Sequence, residues 1–133
     1  MEHIMKTQRG QIVLLLDYLE MIPMILWRSA VKNGVNVLCM SPGKKNYSHV
    51  NYPLERIETA IKWLKDNGNR KIGIMGMSTA GTDAIVAASF FPDITLTFGL
   101  TASDFVWQGF EQGNKDGCKE WPIPETSTLS WKG

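Results

Sequence analysis

The sequence predicts an α/β fold in which a parallel sheet is flanked by helices. Two observations lead to this class: short apolar segments alternate with helical patterns, and glycine or proline separates many of them. Segments that are apolar along their whole length are typical of parallel strands buried on both faces. The predicted order is β-α-β-α-β-α-β with right-handed crossovers. Ligands are therefore expected beyond the carboxyl ends of the strands.

Four segments have the composition of buried strands. Each is five or six residues long, mostly apolar, and bounded by polar residues or by glycine. The last of them carries two threonines, which favour a strand because they branch at Cβ. The four are Gln11–Leu16, Asn36–Met40, Lys71–Met75 and Ile94–Phe98.

Three helices are predicted between these strands. The second is the clearest, because apolar residues recur at steps of three and four, and Pro53 and Gly68 suit its start and end. The first is predicted over Met21–Lys32, before Asn33-Gly34, and the alanine-rich third over Thr79–Phe91. The apolar face of the second helix consists of Leu54, Ile57, Ile61 and Leu64.

The composition fits one domain and excludes several classes of protein. The chain has 133 residues, of which 44% are hydrophobic, and a formal net charge of +1, which gives no electrostatic basis for binding nucleic acid. No apolar run is long enough to span a bilayer, and Met1–Gly10 lacks the core of a secretory signal. We therefore expect no membrane partner and a cytoplasmic location. No cofactor or metal is indicated, since Cys39 and Cys118 are far apart with no ligand spacing around them.

The segment 101–133 differs from the rest of the predicted single domain, 1–133. It is rich in glycine and proline and shows neither a helical nor a strand period. We interpret it as an irregular, lid-like excursion after the fourth strand. Its aromatic residues either line an acyl pocket or cover part of the sheet, and the sequence leaves both possibilities open. These residues are Phe105, Trp107, Phe110, Trp121 and Trp131.

The string Gly76-Met-Ser78-Thr-Ala80 carries the functional prediction. It stands directly after a predicted strand and directly before a predicted helix, which is the context of a nucleophile elbow. The positions two before and two after the serine must be small so that the helix can approach the strand, and Gly76 and Ala80 meet this demand. Ser78 is then the candidate nucleophile, and the backbone N–H of Thr79 a candidate oxyanion donor. The alternative is a serine that only caps a helix.

These residues also resemble a known family. Lys71–Ser89, with Ser103–Gly109 after the next strand, resembles the catalytic domain of acyl-CoA thioesterases. That family also contains the bile acid-CoA:amino acid N-acyltransferases. Asn51–Leu64 is similar to the helix before the elbow strand, and Trp121–Pro124 to a proline-containing stretch after it. The resemblance covers most of the chain from about Gln11 onward.

The resemblance implies a partial α/β-hydrolase fold and an enzyme of fatty acid metabolism that attacks thioesters of coenzyme A. Acyltransferase members of the family can use cysteine as the nucleophile, whereas hydrolytic members use serine, so Ser78 favours hydrolysis. The chain departs from the family at the elbow, where Ala80 replaces the usual glycine. It departs again after the first strand, where Asp17–Met21 lacks the glycines that help to form the second oxyanion donor.

The catalytic triad is the larger departure. In this fold the acid and the histidine follow the serine along the chain, but no histidine follows Ser78 here. The family would place both beyond residue 133, so the chain looks like the truncated front part of a hydrolase, and whether it is an enzyme by itself is open. His49, in the loop after the second strand, is the alternative base, although a histidine in such a loop is more often simply solvated. His3 is expected in a disordered tail.

Other polar residues have simpler interpretations. Asp83 compensates the helix dipole, and Asp104 forms a turn, because neither has a histidine to orient. Lys44 and Lys45 are expected in a solvated turn rather than on coenzyme A phosphates. Cys39 is predicted to be a small core residue.

Three functions remain open on these patterns. The first is a serine hydrolase acting on acyl-CoA or ester substrates. The second is a catalytically incomplete hydrolase fragment, which would self-associate through unpaired sheet edges. The third is an enzyme of the dienelactone-hydrolase or carboxylesterase kind, because the elbow does not fix the substrate.

Overall fold

The computed structural model describes residues 3–5, 11–16, 24–40, 48–112, 120–122 and 125–132. In these ranges the helices are α1 (Met24–Lys32), α2 (Glu55–Asp66) and α3 (Thr79–Phe90). The longer strands are β2 (Gln11–Leu16), β3 (Val35–Met40), β6 (Lys71–Met77) and β7 (Ile94–Leu100). The shorter ones are β1 (His3–Met5), β4 (Ser48–His49), β5 (Tyr52–Pro53), β8 (Phe110–Gln112), β9 (Glu120–Pro122) and β10 (Leu129–Ser130).

The fold is mixed α/β, with parallel strands of one main sheet flanked by helices, as predicted. The order of this sheet is β1-β3-β2-β6-β7, and the four longer strands pair in parallel. The chain moves from β2 to one side, reaches β3, and then crosses back to β6 on the other side of β2. The direction of winding therefore reverses between β2 and β6. Such a reversal leaves a crevice beyond the carboxyl ends of the two strands.

The residues of β3 alternate between two cores on opposite faces of the sheet. Leu38 and Met40 belong to the larger core, with the apolar face of α2 and the small residues of α3. Val37 and Cys39 belong to a smaller core against α1, so Cys39 is buried as predicted. This alternation follows from the two-residue repeat of a strand, and it places α2 and α3 on one face and α1 on the other.

The second helix begins two residues later than its sequence pattern predicts. Pro53 lies in β5 rather than at the first helical position, and Leu54 precedes the first helical residue. The end of α2 agrees with the prediction, because Gly68 adopts the left-handed conformation at φ 85°. Buried Asn69 then closes the turn, since its side-chain N–H donates to the carbonyl of Leu64 at 2.7 Å.

The polar N-terminus forms a strand where a disordered tail is predicted. His3 lies in β1, which pairs antiparallel with β3 and adds a fifth strand to the sheet. The expectation for His3 was therefore wrong, because the unpaired edge of β3 offers backbone hydrogen bonds to a sequence with little strand character of its own.

The segment after β7, predicted as an irregular excursion, contains short strands that pair with earlier parts of the chain. β8 pairs with β4, and β10 pairs in parallel with β5. The backbone N–H groups of Asn51, Tyr52 and Leu54 donate to carbonyls of the segment 127–130. These bonds attach the later part of the chain to the start of α2.

Among the described residues, no helix combines the length and the apolar composition that crossing a bilayer requires.

Candidate functional site

Ser78 lies in the sharp turn between β6 and α3. Its backbone has φ 56° and ψ −127°, a conformation that residues with a Cβ atom rarely adopt. Holding a serine there costs about 1–3 kcal/mol, and such strain persists only where the surrounding structure enforces it. The Ser78 residue is exposed. The turn therefore presents the serine at the carboxyl end of β6, one of the two strands between which the direction of winding reverses.

Small residues make this turn possible. A Cβ atom on Gly76 would lie 2.1 Å from the carbonyl oxygen of Ala80, so no larger residue fits without moving the backbone. A Cβ atom on Gly81 would lie 3.1 Å from the carbonyl oxygens of both Gly76 and Leu100. Ala80 itself is buried against the sheet. The sequence prediction that small residues flank the serine is thus explained by direct contact between helix and strand.

Backbone hydrogen bonds fix the turn on both sides of the serine. The N–H of Ser78 donates to the carbonyl of Leu100 at 2.8 Å, which ties the elbow to the neighbouring strand. The carbonyl of Ser78 accepts from the N–H groups of Gly81 and Thr82, at 2.9 and 3.2 Å. Thr79 is the first residue of α3, and a helix has no intrahelical acceptor for its first N–H groups. The Thr79 N–H is thus a donor at the positive end of the helix dipole.

His49, the candidate base, lies in β4 and not in an open loop. It is 6% exposed, and its ring stacks on Phe110 with 4.6 Å between centroids. Burial lowers the pKa of His49 from 6.5 to about 4, because the charged imidazolium loses its hydration. The ring is therefore neutral at pH 7 and a weak base. It belongs to the small sheet of β4, β8 and β9, whereas Ser78 follows a strand of the main sheet.

The loop after β7 runs along the first turns of α3, close to the elbow. Ser103 N–H donates to the Thr82 hydroxyl at 2.9 Å, and Ala102 faces Gly81, where an added Cβ would come within 3.2 Å of the alanine methyl group. Sequence reasoning missed this attachment. The hydrogen bond joins residues 21 positions apart, and no local sequence pattern in either segment predicts it.

The described aromatic side chains of the segment 101–133 lie in separate parts of the structure. Phe105 and Trp107 lie on the loop beside the elbow, with 4.7 Å between ring centroids. Phe110 stacks on His49. Trp131 contacts Phe90 and Phe91 at the far end of α3. The first pair lies on the loop that follows the carboxyl end of β7, the strand whose Leu100 accepts from the Ser78 N–H.

The remaining candidates that the structure describes do not form a second site. Asp83 is fully buried in α3, past its first turn, so dipole compensation at the helix start is not its role. Asp104 is exposed in a bend after β7, in agreement with a turn. Lys44, Lys45 and Cys118 lie outside the described residues, as does the loop 17–23 after β2. Within the described ranges, no three potential metal ligands come together.

Ser78 and Thr79 are thus brought together at one turn, whereas His49 lies in a separate small sheet. The first two can supply a hydroxyl nucleophile and a backbone donor for an oxyanion. In comparisons with known proteins, no family model matches the chain, and no curated protein matches it significantly.

Proposed function

We propose that this chain is a serine hydrolase domain of the α/β-hydrolase type that acts on acyl-CoA thioesters. The observation that supports this most is the backbone of Ser78, at φ 56° and ψ −127° between a parallel strand and a helix. A serine that only caps a helix adopts an ordinary extended conformation and needs no such strain. A left-handed serine on a strand-to-helix turn is instead typical of a nucleophile elbow.

The proposed reaction has two steps. The Ser78 hydroxyl attacks the thioester carbonyl carbon while a base takes its proton, and the oxyanion that forms accepts a hydrogen bond from the Thr79 N–H. The carbon–sulfur bond then breaks, the thiol leaves with a proton, and an acyl-serine ester remains. Water hydrolyses that ester to a carboxylic acid and restores the serine. Serine suits hydrolysis because its acyl ester is open to attack by water.

The general base is the group that experiment must identify. Of the two histidines, His49 is the one whose side chain the structure describes, and its buried ring is unprotonated at pH 7. A pKa of about 4 gives it little affinity for the proton of a hydroxyl. If His49 acts, its burial must be relieved when substrate binds. If turnover persists without it, the base belongs to another part of the protein.

The test compares the chain with its Ser78→Ala variant on short- and long-chain acyl-CoA, with free thiol as the product measured. We expect thiol release that the variant abolishes, and covalent labelling of Ser78 by an alkyl fluorophosphonate. Ser89→Ala is the matched control, because Ser89 is an exposed serine near the far end of the same helix. Simple esters in the same panel separate a thioesterase from a carboxylesterase.

The outcome that contradicts the proposal is a folded sample with no turnover above Ser78→Ala and no labelling at Ser78. Labelling without turnover would favour the catalytically incomplete hydrolase, since a strained serine can react slowly with a phosphonate in the absence of a complete triad. A His49→Gln variant then tests the base: unchanged thiol release excludes His49 from the reaction.

The exposed edge strand supports the expectation of self-association. Leu96 and Phe98 in β7 are 62% and 54% exposed, and among the described strands β7 pairs with β6 alone. Unpaired backbone beside apolar side chains recruits other strands. Gel filtration over a range of protein concentrations tests this: an elution volume that does not change with dilution, and fits a monomer, contradicts it.

A further inference from the structure

Three consecutive apolar side chains are exposed on the loop that follows β7. Phe105, Val106 and Trp107 expose 54%, 43% and 44% of their surface. We call these three residues the loop patch. Isolated apolar residues are common on protein surfaces, whereas a group of neighbouring exposed ones favours a binding surface.

The loop patch is held in position by hydrogen bonds. The Trp107 indole N–H donates to the Ser103 hydroxyl at 2.7 Å, and the Trp107 carbonyl accepts from the N–H of Thr128 at 3.0 Å. Ser103 is in turn bound to Thr82 of α3. The polar edge of the indole is satisfied, and the part of the Trp107 ring that Phe105 leaves exposed is available for apolar contact. The patch is thus preorganised, which lowers the entropy lost on binding.

The same contacts place the patch beside the elbow. Ser78 donates to Leu100, the last residue of β7, and Ala102 and Ser103 lie against the first turns of α3. Leu100, which accepts the hydrogen bond from the Ser78 N–H, therefore precedes the end of the loop patch by only seven positions. We therefore expect an apolar group attached to a carbonyl at Ser78 to reach the patch.

Charge selects the kind of group that binds there. No lysine or arginine occurs between Ile72 and Asn114, whereas exposed Asp104 is next to Phe105. Phosphate groups of a nucleotide would meet the carboxylate of Asp104 beside the patch, and this stretch of the chain supplies no cation to bind them. An uncharged hydrocarbon chain meets no such penalty and gains by covering exposed rings.

We propose that the loop patch binds the acyl chain of the substrate, with the charged leaving group directed away from it. This inference rests on the proposed hydrolase function, because it takes Ser78 as the point of attachment. Burial of one methylene against apolar surface strengthens binding by about fourfold when complete, and by about twofold on a half-exposed surface. Affinity is therefore expected to rise about twofold to fourfold per methylene until the chain outgrows the patch.

The experiment measures binding separately from catalysis. Methyl esters of alkanoic acids brominated at the last carbon are titrated into the Ser78→Ala variant, and quenching of tryptophan fluorescence is followed. We expect Kd to fall about twofold to fourfold per added methylene. Adding Trp107→Phe should remove most of the quenching, whereas Trp131→Phe, at the other end of α3, should retain it.

A second pair of variants tests the surface without removing a ring. Val106→Asp places a charge within the patch, and Leu96→Asp places the same charge on the exposed edge of β7. Both positions are exposed, so neither change threatens the core. We expect Val106→Asp to weaken binding of the longest ester at least tenfold and Leu96→Asp to leave it unchanged.

Chain-length-independent binding, or equal quenching in the two tryptophan variants, overturns the inference. So does a second copy on the patch, seen as a dimer in sedimentation that Val106→Asp dissociates while the esters fail to bind. Thiol release without ester binding at the patch would refute this inference alone. Ester binding without any reaction at Ser78 would refute the hydrolase proposal and leave an apolar chain-binding surface.

Discussion

Replacing Ser78 with glycine should make the protein more stable than replacing it with alanine. Alanine keeps the Cβ atom and removes the hydroxyl, so the comparison isolates the backbone. At φ 56° and ψ −127° a residue with a Cβ atom is strained by about 1–3 kcal/mol, and glycine is not. Glycine loses about 0.5–1 kcal/mol through the larger entropy of its unfolded chain. The net advantage of glycine is therefore about 0–2.5 kcal/mol, and about 1 kcal/mol at the midpoints of the two ranges.

Urea unfolding followed by far-ultraviolet circular dichroism measures this difference in unfolding free energy. In thermal unfolding, the same difference corresponds to a rise of about 2–6 °C in Tm. Ser89 provides the matched control, because it is exposed in regular helix and its hydroxyl donates to the Val86 carbonyl at 2.6 Å. There, glycine should be about 1 kcal/mol less stable than alanine. If glycine is the less stable residue at both positions, Ser78 is not held in a strained elbow, and the main support for the proposed function is lost.

Two further predictions concern the elbow and the buried histidine. Gly76→Ala should lower the unfolding free energy by at least about 3 kcal/mol, because its methyl group would overlap the Ala80 carbonyl. The control is Gly68→Ala, whose methyl group meets no atom within 4 Å and which should cost about 1–2 kcal/mol because of the positive φ. If urea unfolding gives equal losses for the two variants, the close approach of helix and strand at Gly76 is refuted. The pKa of His49 is lower in the folded than in the unfolded chain, so the unfolded chain binds the proton first as the pH falls. The unfolding free energy should therefore fall between pH 6.5 and about 4, by about 1–3 kcal/mol in total. His49→Gln should flatten that part of the pH dependence, and an unchanged slope would contradict the burial of His49.

The main sheet and its helices could be predicted from the sequence because each signal is local. A buried parallel strand is apolar along its length, and an amphipathic helix repeats every three to four residues, so β6 and α2 were found to within two residues. The turn at Ser78 was also foreseeable, since a sharp strand-to-helix turn restricts the neighbours of Ser78 to small residues. What these patterns specify is the type and order of the elements.

Other features arise from pairs of segments far apart in the chain. β1 forms because β3 has an open edge, and His49 is buried because β4 pairs with β8 and brings Phe110 onto its ring. Neither pairing has a sequence signal, since the short strands involved have only two or three residues. Histidine in an apparent loop therefore becomes a buried, neutral side chain.

The sequence by itself thus determined the α/β class, the order of the main elements and the serine at the turn, because hydrophobic period and residue size act over a few neighbouring positions. The tertiary structure decided which aromatic residues lie on the loop held against the first turns of α3, and where the histidine lies. It did so through contacts such as Thr82 with Ser103, whose partners are brought together only when the sheet and α3 have formed.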